Sequence, residues 1–478
     1  MKKFWLKQLA FVLVCLMLLG TLASCSPAAK LEKLEEAERA PHLYEMVDDR
    51  MNKVRSCNIE MELEMTALIS GQKLLVEGSS EVALINGKKN NFVQITETEM
   101  TGSLNGDEIV SQKIVEGFQD GKMFYHSKSK ENGEKSEVSL YSNIDKDAYL
   151  AHREAMADSF DINPDTLTHA ETTTCKMNDD GTWVATYTDF NETGMESFVK
   201  LFDSYTEALG SGLSVDDVKM TLKTDKKLYP TQIELEVEFG GNQYNLGDTQ
   251  PSCKMTIDFS DFNDVEVDKV DLADYTEVDD LRAIDTVTKA MEDYAKLENG
   301  RFELNIDQTV SVGSRKESAT ERDVCTFSNN SDGKYTYHIT ATTNKYSAII
   351  SYANGVRSTT VKQGSQSFGP NKENQTEAEA KAFIEGLINP AKLDKNNIAS
   401  IKAEGDGVYV FTLKDVDTSA FASLVNPDKG DKTGEVTVTM KDGKLESCVY
   451  KLTVFATLST GDVNIEAIST CEYSYPEE

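Results

Sequence analysis

Residues 58–67 read NIEMELEMTA and alternate between apolar and polar side chains, three of them glutamates. A period of two is typical of a β-strand that buries one face. Residues 302–307, FELNID, repeat the pattern. Each stretch follows an amphipathic helix, predicted over residues 43–57 and 278–297. The sequence therefore predicts the same helix-then-strand arrangement twice.

Further segments match between the two halves of the chain, at offsets that fall steadily from 243 residues at the first strand to 217 at the last match. The matching pairs are Phe118–Gly121 with Tyr352–Gly355, Gly181–Val184 with Gly407–Val410, and Asp225–Leu228 with Asp442–Leu445. An ordered series of this kind indicates an internal duplication whose first copy carries extra loop residues. We expect domains over residues 42–270 and 271–478, with the boundary between Phe262 and Leu281.

A helix is predicted midway through each copy. Thr376–Glu379 has the form of a capping box, and the helix of the first copy begins near Asp145. Asn143–Asp147 mimics the start of an EF-hand loop, but Ala148 stands where that loop needs glycine. We therefore interpret Asp145 and Asp147 as acids at a helix N-terminus rather than as calcium ligands.

A third helix is predicted in the first copy, capped at Thr193 and ending at Gly210. Its counterpart in the second copy, Ser419–Leu424, is short. Methionine and aromatic residues share one face of the longer helix, which suits either ordinary core packing or an adaptable apolar pocket. Under the second interpretation the ligand-binding residues are Met195, Phe198, Phe202 and Tyr205.

The N-terminus has the features of a secretory signal. Lys2, Lys3 and Lys7 precede a nearly wholly apolar run from Leu9 to Leu22. Leu22–Cys25 matches the bacterial lipobox, and this resemblance implies cleavage after residue 24 and a diacylglyceryl thioether on Cys25. The alternative is an ordinary signal peptide in which Cys25 is incidental. Residues 25–41 would be the lipidated cysteine and a spacer.

Removal of residues 1–24 leaves 454 residues and takes away three lysines, which changes the formal charge from -32 to -35. Such an acidic chain repels phosphate backbones and anionic lipid surfaces, so we expect no nucleic-acid partner and no electrostatic membrane patch. Attachment to the membrane would depend on the acyl chains. A mature chain of this length predicts at least two domains.

Six cysteines follow the lipobox, with no CxxC among them: Cys57, Cys175, Cys253, Cys325, Cys448 and Cys471. Cys448 and Cys471 flank a predicted hairpin turn and could face each other, either as a disulfide or as buried thiols. The five histidines show no metal-ligand spacing, and no nucleotide-binding or nucleophile motif is present. We expect no metal, no cofactor and no enzymatic activity, although a carboxylate-pair hydrolase would leave no local signature.

The order of elements in each copy resembles the lipoprotein-carrier superfamily, which includes LolA and LolB and the lipid-transporting lipoproteins LppX and LprG. The similar features are the N-terminal helix, the alternating strands, the lid-like helices, the Asp225–Leu228 turn and the strand Met255–Phe259. The resemblance spans residues 42–270 and 278–478. It implies an α+β fold with two tandem domains, each a strongly curved antiparallel half-barrel covered by helices. No catalytic or ligand residue is implied by it.

These observations predict a lipid-anchored surface lipoprotein on the outer side of the cell membrane that binds a lipid or another hydrophobic ligand. The alternative is a non-catalytic spacer or protein-interaction module of the cell envelope, whose protein partner the sequence does not identify. An empty apolar cavity would favour ligand binding. A filled inner face would favour the alternative.

Cys25 should be the membrane anchor, because the acidic chain has no other apolar run that could hold a bilayer. Cys25→Ala should therefore leave an unlipidated precursor. Metabolic labelling with palmitate should mark the wild type and a Cys15→Ala control, and should leave the Cys25→Ala precursor unlabelled. Equal labelling of all three would contradict the predicted anchor.

Overall fold

The protein is described by a computed structural model over residues 31, 34–69, 72–86, 92–131, 133–157, 164–198, 214–240, 251–329, 335–405, 407–414, 416, 431–458 and 461–476. The predicted signal peptide and Cys25 lie outside these residues. No helix in the described part of the chain is both long and apolar enough to cross a membrane. The chain divides into two compact units, Met1–Tyr275 and Thr276–Glu478.

The first unit is built on a long antiparallel sheet. Its strands are β1 (Ser56–Ile69), β2 (Gln72–Asn86), β3 (Phe92–Leu104), β4 (Asp107–Gln119), β5 (Lys122–Glu131), β6 (Glu134–Asn143), β7 (Ala170–Met177), β8 (Trp183–Phe190), β9 (Ser214–Thr224), β10 (Pro230–Gly240) and β11 (Ser252–Ser260). The helices include α1 (Glu36–Met51), α2 (Lys146–Ala157) and α3 (Pro164–Thr168), and residues 192–198 are also helical. The sheet has twelve strands, and those of this unit lie in the order β6-β5-β4-β3-β2-β1-β11-β10-β9-β8-β7.

The second unit begins with a two-residue strand, β12 (Thr276–Glu277), and contains an eleven-stranded antiparallel sheet. Its strands are β13 (Asn299–Val312), β14 (Arg315–Asn329), β15 (Tyr335–Thr343), β16 (Ser347–Ala353), β17 (Val356–Gln363), β18 (Gln366–Asn374), β19 (Ile398–Ala403), β20 (Val408–Leu413), β21 (Asp431–Lys441), β22 (Lys444–Leu458) and β23 (Gly461–Ser474). The helices are α4 (Arg282–Ala295), α5 (Glu377–Ile388) and the 3₁₀ turn Lys395–Asn397. The strand order is β18-β17-β16-β15-β14-β13-β23-β22-β21-β20-β19.

The two sheets have the same strand order, and the segments matched in the sequence occupy equivalent places. Phe118–Gly121 forms the turn between β4 and β5, and Tyr352–Gly355 forms the turn between β16 and β17. Both turns have positive φ at two successive residues, Asp120-Gly121 and Asn354-Gly355. Two positive φ angles are characteristic of the type I′ hairpin, which explains the Asp/Asn-Gly sequence.

Alternation places the apolar side chains of each sheet on one face, which we call the inner face. In β1, Met61 and Leu63 are buried, whereas Glu62 between them is exposed. The inner face of the first sheet is the face that carries Met61, and the inner face of the second sheet is the face that carries Leu304. The inner face is continuous across neighbouring strands, because the paired residues of an antiparallel ladder project to the same side.

The predicted α+β fold, with helices that cover a half-barrel, is wrong. Of the described residues, 62% are in strands and 18% in helices. Eleven strands make a sheet roughly 50 Å wide, whereas a helix of 12 to 16 residues is roughly 18 to 24 Å long. Within the described part of the first unit, α1 packs mainly against β7, β8 and α3, so most of the sheet lies beyond its reach.

Helix boundaries differ from the prediction at the N-terminus. α1 begins at Glu36 and continues through Pro41, so part of the predicted spacer is helical. Ala40 and Leu43 are fully buried, and the Tyr187 hydroxyl donates a hydrogen bond to the Ala40 carbonyl. This packing against β8 stabilises the helix despite the proline, and the helix ends at Met51 rather than at residue 57.

The two predicted helix starts midway through the copies are confirmed. The Thr376 hydroxyl accepts a hydrogen bond from the Glu379 amide, and the Glu379 carboxylate accepts one from the Thr376 amide. At the start of α2, Asp145 Oδ1 accepts from the Ala148 amide at 2.8 Å. Asp145 is therefore an N-cap, as its sequence context indicates.

Residues 271–478 should fold when expressed alone, because the second unit has its own sheet and its own buried core. We expect a β-rich circular dichroism spectrum and one cooperative thermal transition. Trp183 is the only tryptophan after residue 5, so its fluorescence in the mature chain reports the first unit alone. A random-coil spectrum for residues 271–478 would contradict independent folding.

Candidate functional site

The helix predicted to bind a ligand is described over residues 192–198. Its cap is Asn191, whose Oδ1 accepts from the Gly194 amide at 3.1 Å, so the prediction of Thr193 as the cap is wrong. Phe198 is 1% exposed, and its ring meets Phe190 edge-on at 4.9 Å. Met195 is partly exposed. Phe202 and Tyr205 lie outside the described residues.

The inner face of the first sheet is filled. Ser80 and Thr98, which face each other on β2 and β3, share a hydrogen bond of 3.0 Å and are each 2% exposed. On the neighbouring strands the Gln112 amide donates to the Ser127 hydroxyl at 3.1 Å. Ile114 is buried between these polar pairs. Buried hydroxyls that are hydrogen-bonded to each other are compatible with a packed core.

In the second unit, α4 and α5 cover one end of the inner face. The Tyr473 hydroxyl of β23 donates to the Ile388 carbonyl at 2.6 Å, which ties the end of α5 to the sheet. The Tyr294 ring of α4 packs edge-on against Tyr473 and Phe327, with centroid distances of 5.0 and 6.0 Å. Farther along the strands, beyond these aromatic residues, the inner face carries smaller and oxygen-bearing side chains.

One row of that inner face runs straight across five strands, from β14 to β18. We call it the alanine row, and its members are Asp323, Ala341, Ala348, Val361 and Phe368. The alanines are buried, Val361 is partly exposed and Phe368 is 53% exposed. The row is therefore lined by small side chains near the acid and opens to solvent at the other end.

The first sheet has a different row at the equivalent place. Met61 of β1 corresponds to Leu304 of β13; Met61 pairs with Ser80, and Leu304 pairs with Asp323. The row that begins at Ser80 is therefore equivalent to the row that begins at Asp323. The equivalent row is Ser80, Thr98, Ile114, Ser127 and Val138, and all five side chains are buried. The open apolar row with an acid at its end is thus a property of the second copy alone.

Oxygen-bearing side chains gather next to the alanine row. Glu321 and Asp323 share the inner face of β14, while Ser469 and Glu321 lie on either side of Ile306 in the register. Gln308 is two residues further along β13 on the same face. We call Gln308, Glu321, Asp323 and Ser469 the acceptor cluster.

Three atoms of the acceptor cluster are buried without a hydrogen-bond partner: Gln308 Oε1, Asp323 Oδ1 and Ser469 Oγ. Gln308 is 4% exposed and Ser469 is 1% exposed. Burial raises the pKa of Asp323 to about 7, and the negative charge of Glu321 adds to the increase. Burial also raises the pKa of Glu321. Each unsatisfied buried acceptor costs roughly 1 to 3 kcal/mol, so the cluster destabilises the unit as it stands.

Sequence reasoning missed this cluster because acids are frequent throughout the chain. The signal was nevertheless present in β14, where Glu321 and Asp323 have the same parity as Cys325 and Phe327. That parity places two carboxylates on the buried face of the strand. In β1, by contrast, the glutamates alternate out of phase with the apolar residues.

The cysteine thiols do not add a reactive site. Cys448 and Cys471 are directly opposite each other on β22 and β23, and both are buried free thiols, which confirms that interpretation of the pair. Burial raises the pKa of Cys448 to about 12, so its nucleophilic thiolate form is disfavoured. Among the described residues, no three His, Cys, Asp or Glu side chains are placed to hold a metal ion.

Two open depressions lie away from the acceptor cluster. One, of about 540 Å³, is centred on Gly78 and lined mainly by outward-facing residues such as Glu62, Glu77 and Lys254. The other, of about 620 Å³, includes Arg301 and His338. The walls of the first depression are mainly polar, whereas those of the second also include Phe327, Tyr337 and Tyr475.

No family model matches the chain, and no curated protein matches it. Among solved structures, a DUF1329 family protein from Desulfovibrio piger is 9% identical, with 40% of this chain and 90% of that chain covered and a TM-score of 0.19. A DUF3598 family protein of unknown function from Nostoc punctiforme is 7% identical, with coverages of 88% and 96% and a TM-score of 0.13. A mutant of transferrin binding protein B from Haemophilus parasuis is 7% identical, with coverages of 88% and 76% and a TM-score of 0.16. TM-scores this low carry no argument about the fold or function of this chain.

Asp323→Asn should stabilise the second unit at pH 8 and leave its stability nearly unchanged at pH 4. The carboxyl has a pKa of about 7 in the folded state and about 3.9 when unfolded, so the stability present below pH 4 is lost as the pH rises through 7. The asparagine variant lacks this loss. Thermal unfolding followed by circular dichroism at both pH values measures the difference.

Asp307→Asn is the matched control, because Asp307 is exposed on the outer face of the neighbouring strand. It should behave as the wild type at both pH values. The Trp183 fluorescence transition of the first unit should be unaffected by either substitution. A lower midpoint for Asp323→Asn at pH 8 would show that the carboxylate stabilises the fold.

Proposed function

We propose that the chain is a lipid-anchored, extracytoplasmic lipoprotein that binds a hydrophobic ligand without catalysis, and that the second unit holds the ligand. The observation that carries this proposal is the alanine row. Ala341 and Ala348 are buried and lie in one row with Phe368, a large aromatic residue 53% exposed on the inner face. Apolar surface continuous with a core and open at one end suits a ligand with an elongated apolar body.

The surroundings of the row support the same proposal. Val361 of β17 pairs with Ala348 of β16, and Ile350 lies two residues from Ala348 on the same face. Ile350 and Val361 are both only partly buried. Tyr346, at the turn between β15 and β16, is 42% exposed. Burial of such surface stabilises a complex by roughly 25 cal/mol for each Å² removed from water.

The first unit favours a different role. Its inner face is filled by buried side chains, among them the hydrogen-bonded pair Ser80 and Thr98. We propose that this unit acts as a spacer or protein-interaction module. Anchoring through Cys25 would place it next to the bilayer.

Nile red, a neutral apolar dye, tests ligand binding on the chain of residues 25–478 carrying Cys25→Ala, so that no acyl chain competes for the surface. We expect fluorescence enhancement on binding to the wild-type surface. Phe368→Glu should weaken binding by about tenfold, because it removes apolar contact and brings a charge to the row. Titration of the dye measures the dissociation constant.

Ile468→Glu is the control, since Ile468 is 41% exposed but lies on the outer face of β23. It should bind the dye as tightly as the wild type. If both substitutions weakened binding equally, the dye would not be reporting the inner face. Absence of dye binding, together with solvent extracts of the native protein free of lipid by mass spectrometry, would favour the spacer or interaction module for the whole chain.

A further inference from the structure

The unsatisfied atoms of the acceptor cluster share one chemical property. Gln308 Oε1 and the ionised Asp323 carboxylate can only accept hydrogen bonds, and Ser469 Oγ can accept as well as donate. Glu321 adds a second carboxylate on the same face of β14. A partner for this set must therefore be rich in hydrogen-bond donors, and the two carboxylates favour a positive charge.

The fold does not require these acceptors. In the first sheet the equivalent positions are occupied by Met65, Gly78, Ser80 and Met255, as the strand registers show. None of these side chains carries a charge, and Ser80 is satisfied by Thr98. The second sheet has the same strand order with four oxygen-bearing side chains instead. Since they cost stability without serving the architecture, their placement points to a ligand.

The spacing of the cluster favours an organic cation over a metal ion. Ser469 and Glu321 are separated by the strand that carries Ile306, so their backbones are roughly 10 Å apart. Ca²⁺ would need six to eight oxygens at about 2.3 to 2.6 Å from one point. An ammonium group needs only about three acceptors and tolerates the apolar side chain of Ile306 beside it.

The alanine row continues from the cluster in one direction. From Asp323 to Phe368 it crosses four strand spacings, roughly 19 Å. At one end Gln308 and Ser469 are buried, and at the other end Phe368 is 53% exposed. This polarity matches a ligand with a cationic head and an apolar tail, which would enter head first.

We propose that Gln308, Glu321, Asp323 and Ser469 bind the ammonium group of an amphiphile whose apolar chain lies along the alanine row. The inference rests on the proposed function and specifies the head group of its ligand. A long-chain amine and an amine-bearing lipid share this chemistry.

Calorimetric titration of three decyl compounds into residues 25–478 with Cys25→Ala tests the proposal, with decylammonium, decanol and decanoate as probes below their micelle concentrations. We expect decylammonium to bind at least about tenfold more tightly than decanol, because charge-assisted hydrogen bonds distinguish the two heads. Decanoate should bind most weakly. The double substitution Glu321→Gln with Asp323→Asn should reduce the preference for decylammonium over decanol to within about twofold.

The outcomes separate the two proposals. Equal binding of all three probes would overturn the ammonium site and leave the apolar surface intact, whereas no binding of any probe would overturn both. Asp307→Asn, on the outer face, should retain the full preference.

Calcium binding that is lost in the double variant and competes with decylammonium would identify a metal site instead and overturn the inference. Free decylammonium and liposomes containing decylammonium distinguish a soluble amine from a membrane-borne one.

Discussion

Each unit depends on the pairing of its first long strand with its last. β1 pairs with β11 and β13 with β23, and these pairings join two meanders that are otherwise separate. Met61 faces Ile257 at the first of these seams, and Leu304 faces Cys471 at the second. A slip of one residue would turn every apolar side chain of one meander to the opposite face. The register at the seam therefore determines whether the inner face exists as a continuous surface.

In the second unit this surface carries buried acceptors without hydrogen-bond partners, which lower the free energy of unfolding. In the first copy a hydroxyl pair satisfies itself at the position where the second copy has Asp323 opposite Ala341. An asparagine or serine would be easier to bury than a carboxylate, because the charged form loses its hydration. Natural proteins tolerate such positions where binding requires them. The comparison of two copies within one chain supplies an internal reference for what the architecture alone demands.

Much of the strand arrangement could be predicted from the sequence, because alternation and Asp/Asn-Gly turns act locally. The matched segments predicted which strands correspond, and the Thr376 cap was predicted because its four residues suffice to form it. The fold class was wrong, since the share of helix depends on how far the strands extend in the folded chain. The predicted start of α1 was wrong because Pro41 was interpreted as the end of a spacer. In the folded chain the contact between Ala40 and Tyr187 stabilises the helix on both sides of that proline.

The candidate site was the least predictable part, and for a physical reason. Glu321 and Glu62 look alike in a sequence, because each is an acid within an alternating strand. Only the phase relative to Cys325 and Phe327 shows that the first is turned inward, and only the register shows that Ser469 and Gln308 flank it. Such a site is assembled across strands that are about 150 residues apart, so no local motif records it.

The repeated seam also affects how an exported chain would fold. β11 and β23 end equivalent meanders, so either can compete for pairing with β1, and an exchanged pairing would entangle the two copies. Chains that cross a membrane unfolded emerge from the N-terminus, and β11 reaches the far side long before β23. Order of arrival would thus protect fidelity: the first copy can close its sheet before a competing strand is present. On this view the tandem order of the repeats is itself a safeguard against misassembly.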